Sequence, residues 1–268
     1  MCHWSRAWHR LVVSPDLDSY LDLNEDSERI TITKRGRQMP EPDSTYLKNL
    51  ETLVSTRTEQ LRRSMSDLEH AQDCILEVYG DALWFKDRAT AEHSKRVAAF
   101  SIALAPALRL RGEEIREIAR GAYLHDIGKL AIPETLLSKT APFTGDERQI
   151  VERHCAWGHQ IVSKIKFLSS VADLIHAHHE RWDSTGYPNR LKGEMIPKGA
   201  RVIAVVNAFD SVASDQPYRA ARSIEEAIQE IADGSGTQFD PVVVATFLSV
   251  PHSTWRDLET QIRQQGNR

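Results

Sequence analysis

The stretch YLHDIGKLAIP, residues 123–133, sets a histidine beside an aspartate, His125 and Asp126, with Gly128 and Lys129 just after. Imidazole and carboxylate together suit a divalent metal of intermediate hardness. Lys129, one turn beyond Asp126, then supplies a cation for an anionic substrate. A buried histidine with a capping aspartate would account for this pair alone. Further histidines recur among apolar residues of helical spacing. His93 lies beside Val97 and Ala98, His154 shares a segment with Ile150 and Val151, and His178 and His179 end the run VADLIHAHHE. One such histidine is ordinarily a packed core residue. Several are costly to bury without partners, and a metal satisfies many at once. A Zn²⁺-like ion takes three or four protein ligands. This set exceeds that number, so two ions are expected. A two-ion site suits phosphoester hydrolysis, because paired ions clamp the phosphate and lower the pKa of water from 15.7 towards ~7.

The elements that must position these residues read as helices. The run EEIREIARGAYL before His125 carries Ile115, Ile118, Ala119 and Ala122 on one face, with Gly128 as a stop and Pro133 beyond it. Helical periods are also expected at 90–108, 145–156, 168–180, 198–213, 223–233 and 240–249, with a Gly- and Pro-rich loop at 186–199. No strand–helix alternation is present, so the fold class expected is all-α over residues 84–257, followed by a tail at 258–268. Residues 46–83 carry a heptad. Its a positions are Leu47, Val54, Leu61, Leu68, Ile75 and Ala82, and its d positions are Leu50, Arg57, Ser64, Ala71 and Val78. That pattern predicts a coiled-coil-like linker helix that pairs in parallel with a second copy, or else an amphipathic helix lying on its own domain. Residues 1–45 have an unknown fold, with short strands expected at RLVV (10–13) and ITIT (30–33).

Composition narrows the function. The net charge of −4, from 34 basic and 38 acidic residues, gives no electrostatic case for binding a nucleic-acid polymer. Cys2, Cys74 and Cys155 form no disulfide framework and suit a reducing compartment. No apolar run is long enough to span a bilayer and no secretory core precedes a cleavage site, so a cytoplasmic protein is expected.

The ordered set HS (93–94), HDIGK (125–129), HCAWG (154–158), HHERWDSTGYP (178–188), IPKGARVIAVVNAFD (196–210) and PYR (217–219) resembles an HD-GYP domain over roughly residues 84–250. The resemblance implies an HD-type helical bundle, often preceded by a helical stalk. It implies a bacterial phosphodiesterase that cleaves cyclic di-GMP to the linear dinucleotide or to GMP, using two divalent ions, iron or manganese. His93, His125, Asp126, His154, His178 and His179 would be the metal ligands, with Asp126 bridging. Asp126 and Lys129 would act at the phosphate. Gly186, Tyr187 and Pro188 would shape the substrate loop, and Gln216 and Arg219 would fall at a phosphate contact. A signalling protein partner is a further expectation of such proteins.

The departures from the pattern are specific. The last metal-binding aspartate is Asn207, followed by Asp210. Gln216 replaces an arginine, and Ser184 replaces a glycine of DGTGYP. Ala89 stands where a glutamate would hold a third ion, so none is expected, and LSKTAP at 137–142 departs from K-P-G. Ile203, Ala204 and Val206 surround Asn207, which predicts that its side chain faces the ligands. An asparagine there offers a neutral carbonyl in place of a charged carboxylate. This erosion also fits a catalytically impaired domain that senses the nucleotide or binds a protein through the same surface.

Overall fold

A computed structural model describes residues 44–215 and 220–266; the expected strands at 10–13 and 30–33, and the Gln216–Arg219 contact, lie outside these residues. Helix α1 runs Ser44–Lys86. The described residues divide into two units, 44–76 and 77–266. The heptad positions Leu47, Leu50, Val54, Leu61, Leu68 and Val78 are exposed on α1.

The larger unit is built from helices, and no strand occurs among the described residues beyond two isolated bridges. In chain order they are α2 (Arg88–Leu104), α3 (Glu113–Leu124), α4 (Glu134–Leu137), α5 (Gly145–Glu152), α6 (His154–Val162), α7 (Ser169–Ala177), α8 (Lys198–Ala213), α9 (Ile224–Asp233), α10 (Pro241–Ser249) and α11 (His252–Gly266). Short 3₁₀ turns occupy Ile127–Ala131, Lys166–Leu168 and Gly193–Met195. Starts are set by side-chain caps. Asp87 accepts from the amides of Ala89 and Thr90, Thr144 and Ser223 form capping boxes with Glu147 and Glu226, and Asp240 caps a helix that opens with Pro241.

Helix α8 is the axis of the bundle. Val202, Ile203, Val205, Val206, Phe209 and Asp210 on it are all buried, and α2, α3, α7, α9 and α10 pack around it. A helix that is apolar on nearly every side can only sit inside a bundle. At its far end Phe209 meets Phe100 and Phe247 edge-on, both at 5.2 Å between ring centroids, and Trp255 of α11 stacks on Phe247 at 4.7 Å. Helix α11 extends to both sides of position 257, and the larger unit begins at Glu77.

Two glycines allow close approach of the turn after His125 to α6 and of α6 to α7. A Cβ on Gly128 would lie 1.9 Å from the His154 carbonyl oxygen, and one on Gly158 would lie 2.8 Å from Ile175. The turn after His125 thus abuts α6 directly. The role of Gly128 differs from that expected: α3 ends at Leu124, before it, and its missing side chain serves packing.

Candidate metal centre

His125 caps the C-terminus of α3 and Asp126 begins the 3₁₀ turn, so the pair sits just past the helix rather than in its last turn. His154 opens α6, and His178 caps the end of α7. These elements, with His93 on α2, bring the ligands expected from the sequence into two donor groups. One is His93, His125 and Asp126; the other is His154, Cys155, His178 and His179, each with its donor atoms within 4.8 Å of one another. Asp126 links the groups, because its Oδ1 lies 3.5 Å from His154 Nε2.

The histidines are oriented in one way. The Nδ1 of His125 lies 2.7 Å from the Ala122 carbonyl, that of His154 lies 2.7 Å from Val151, and that of His178 lies 2.6 Å from Ile175. A carbonyl can only accept, so each Nδ1–H donates and each Nε2 keeps a lone pair. His93 follows the same rule with a carboxylate, its Nδ1 donating to Asp210 Oδ2 at 2.6 Å. Metal-binding histidines are held in this manner, by a carbonyl or carboxylate on the second nitrogen. His125 Nε2 is buried and makes no hydrogen bond, although Asp126 Oδ2 lies 3.3 Å away. An orphaned buried nitrogen among imidazoles and a carboxylate is the donor set a divalent ion requires.

Electrostatics agree with that reading. Burial pushes His178 and His179 well below the ordinary imidazole range, and lowers His154 to about 4 despite the opposing pull of Asp126. These rings are neutral at neutral pH, with lone pairs free for a metal. Burial alone would raise Asp126, yet His125, Lys129 and His154 together hold it well below the usual carboxylate range. Lys129 Nζ donates to Asp126 Oδ2 at 2.8 Å while its side chain keeps partial exposure.

Asn207 is half-buried on α8, and the Ser211 hydroxyl donates to its Oδ1 at 3.5 Å. One turn on, the buried Asp210 meets His93. Arg96 grips this carboxylate with two bonds, Nε to Oδ1 at 2.7 Å and Nη2 to Oδ2 at 2.9 Å, and Ser214 adds a third. Burial would raise the Asp210 pKa, but His93 and Arg96 hold it below its ordinary value. Arg96 was not singled out in the sequence, although it lies three residues after His93, on the same helical face.

The GYP segment borders the donor groups. Tyr187 stacks on His179 at 4.8 Å between ring centroids. A Cβ on Gly186 would lie 2.4 Å from the Arg181 amide nitrogen, so only glycine fits there. Gly186, Tyr187 and Pro188 line a groove of about 980 Å³ together with Ile150, Arg153 and Arg190. Glu180, a residue missed in the sequence, is buried beneath this loop and accepts from the Asn189 amide at 2.6 Å and the Leu191 amide at 2.9 Å. Its partners lie nine and eleven residues on, a separation that no helical or strand period marks. Trp157 and Trp182 pack beneath arginines, as Arg153 and Arg201 lie 5.9 Å and 5.8 Å from their rings.

Ser184 has φ of 69°, the left-handed region that a glycine occupies without strain. Ser184→Gly is expected to stabilise the fold by about 0.5–1 kcal/mol, the strain of an L-residue less the entropy glycine gains on unfolding. A urea midpoint at or below wild type would contradict this account of the loop.

The chain belongs to the HD domain family, whose sequence model matches residues 77–243, and its HHE and GYP segments place it in the HD-GYP group. A cyclic di-GMP phosphodiesterase of Thermotoga maritima is 32% identical over 83% of this chain and 61% of its own length. A cyclic di-GMP phosphodiesterase of Pseudomonas aeruginosa is 36% identical over 68% of this chain and 47% of its own. The chain thus spans about half the length of the curated relatives it matches. A solved cyclic GMP-AMP-specific phosphodiesterase of Vibrio cholerae shares the fold, with a TM-score of 0.54 at 22% identity over 70% of this chain and 52% of that one. No helix among the described residues is long and apolar enough to cross a membrane.

Proposed function

We propose that the chain is a metal-dependent phosphodiesterase that hydrolyses cyclic di-GMP to the linear dinucleotide or GMP. The observation that carries this reading is the pair of donor groups sharing Asp126, with imidazoles on both sides. Relatives named for cyclic di-GMP supply the substrate class. Two divalent ions, iron or manganese, held by His93, His125, Asp126, His154, His178 and His179, would lower the pKa of water and clamp the phosphate. The chain's own residues do the rest. Asp126 stays ionised between the two groups, and Lys129 presents a cation at their edge. Gly186, Tyr187 and Pro188 shape the wall of the groove beside them. Gln216 and Arg219 complete the phosphate contact in this reading. Free thiols at Cys74 and Cys155 suit cytoplasmic placement. The test is anaerobic loading of the purified chain with Fe²⁺ or Mn²⁺, incubation with cyclic di-GMP, and chromatography of the products. No linear product under either metal would overturn it.

A second reading is a nucleotide-sensing or protein-interaction domain that no longer turns over, and the neutral side chains of Asn207 and Gln216 favour it. Asn207→Asp separates the two. Restoring a charged oxygen ligand is expected to raise metal content and rate together, by more than the ~10–100-fold attached to groups that merely orient ligands. Unchanged metal content and rate in this variant would show that the missing charge is not what limits the site.

We also infer that the exposed apolar a and d positions of α1 pair with a second copy of the chain. The intact chain should sediment as a dimer, and removal of residues 1–83 should weaken it. A monomer at concentrations on the order of tens of micromolar would sink this part of the reading.

A further inference from the structure

The two donor groups are chemically unequal. His93, His125 and Asp126 offer nitrogen and oxygen. His154, His178 and His179 share their space with a sulfur, Cys155 Sγ. Cys155 follows His154 on α6 and is fully buried. Its Sγ lies 3.6 Å from His154 Nε2 and 4.0 Å from His178 Nδ1, while the Nε2 atoms of His154 and His178 are 3.3 Å apart. A tetrahedral ion with metal–sulfur bonds of ~2.3 Å and metal–nitrogen bonds of ~2.0–2.1 Å needs sulfur–nitrogen edges of about 3.5–3.6 Å and nitrogen–nitrogen edges of about 3.3 Å. The Cys155–His154 and His154–His178 separations match those edges. A cysteine that served only to fill the core has no reason to keep that spacing to the lone-pair nitrogen of His154, which itself lies one nitrogen–nitrogen edge from His178 Nε2.

We propose that Cys155 supplies a sulfur ligand to the second metal position, so that this position selects a thiophilic ion such as Zn²⁺, Fe²⁺ or Co²⁺, while the position at Asp126 takes a harder ion such as Mn²⁺. Softness matching gives the preference: thiolate favours borderline and soft ions, carboxylate favours hard ones. On uptake the Sγ–H bond breaks, the sulfur–metal bond forms, and one proton leaves to solvent. The inference rests on the metal-binding reading of this cluster and not on hydrolysis of any nucleotide.

The experiment uses the full chain carrying Cys2→Ser and Cys74→Ser, so that Cys155 is its one thiol. It is loaded anaerobically with one equivalent of Co²⁺ and, separately, of Zn²⁺, with bound metal measured directly. The expected result is a near-ultraviolet thiolate-to-cobalt charge-transfer band, and an X-ray absorption shell of one sulfur at about 2.3 Å from Zn²⁺. Adding Cys155→Ser should remove both signals. It should also cut the preference for Zn²⁺ over Mn²⁺ in competition by about tenfold or more. Stoichiometric metal with only nitrogen and oxygen neighbours would overturn the proposal, as would a band that survives Cys155→Ser. If that variant fails to fold, the absorption shell of the Cys155-bearing chain decides by itself. Absence of phosphodiesterase turnover, by contrast, bears on the function proposed above and leaves the sulfur shell untouched.

Discussion

Asp126→Ala is expected to empty the metal centre and abolish hydrolysis. Asp126 is the carboxylate that touches both donor groups, with Oδ2 3.3 Å from His125 Nε2 and Oδ1 3.5 Å from His154 Nε2. Its removal takes away the anion between the two positions and leaves the Lys129 ammonium, 2.8 Å from the lost oxygen, as an uncompensated positive charge. Loss of a bridging ligand should exceed the ~10–100-fold penalty seen when only an orienting partner is removed. Asp126→Asn isolates the charge, because it keeps the shape and an acceptor oxygen. Metal content after anaerobic reconstitution, with circular dichroism as the check on folding, decides the matter. Wild-type stoichiometry in Asp126→Ala would mean that the two donor groups do not share this carboxylate.

The largest effect on stability is expected at Arg96. Asp210 is 1% exposed and is compensated by His93 together with the bidentate guanidinium of Arg96. Arg96→Met leaves a buried carboxylate facing one histidine and one hydroxyl, and removing one partner of such a pair costs about 3–5 kcal/mol. Arg96→Lys should cost less, since the charge remains while the fork geometry is lost. The sign with pH follows from the depressed pKa of Asp210. A carboxyl held low in the fold contributes stability above its unfolded value near 3.9, and that stability is lost as pH falls through the folded value. Without Arg96 the folded value rises, so acid unfolding of Arg96→Met should begin at a higher pH than in wild type. A urea midpoint and an acid limb that coincide with wild type would show that Arg96 merely lies on the surface of the pair.

The helices and the histidines were legible because each depends on local information. A period of 3.6 marked α3, α8 and α9, and the apolar neighbours of His93, His154 and His178 marked those rings as inward. What was not legible depends on contacts distant in sequence. Asp210 lies 117 residues from His93 and 114 from Arg96, so its use as the anchor of a ligand could not be read from spacing. Asn207 is half-buried with the Ser211 hydroxyl donating to it, and Asp210, one turn on, bonds to His93. Gly128 looked like a helix stop because glycine commonly is one; the closeness of α6, which makes it necessary, is a tertiary fact. Cys155 could not be read as a ligand from the sequence, because a single thiol carries no periodic signal.

Glu180 has a consequence beyond holding a loop. It directly follows His178 and His179, and its two oxygens are committed to the amides of Asn189 and Leu191 on the far side of Gly186, Tyr187 and Pro188. The Tyr187 amide in turn donates to the His179 carbonyl at 3.2 Å. The imidazoles proposed to hold an ion and the wall proposed to meet a nucleotide are therefore two ends of one braced segment. Whatever an ion does to steady that segment, a nucleotide finds already done. Thermodynamic reciprocity then requires that the nucleotide strengthen ion binding by the same factor by which the ion strengthens nucleotide binding.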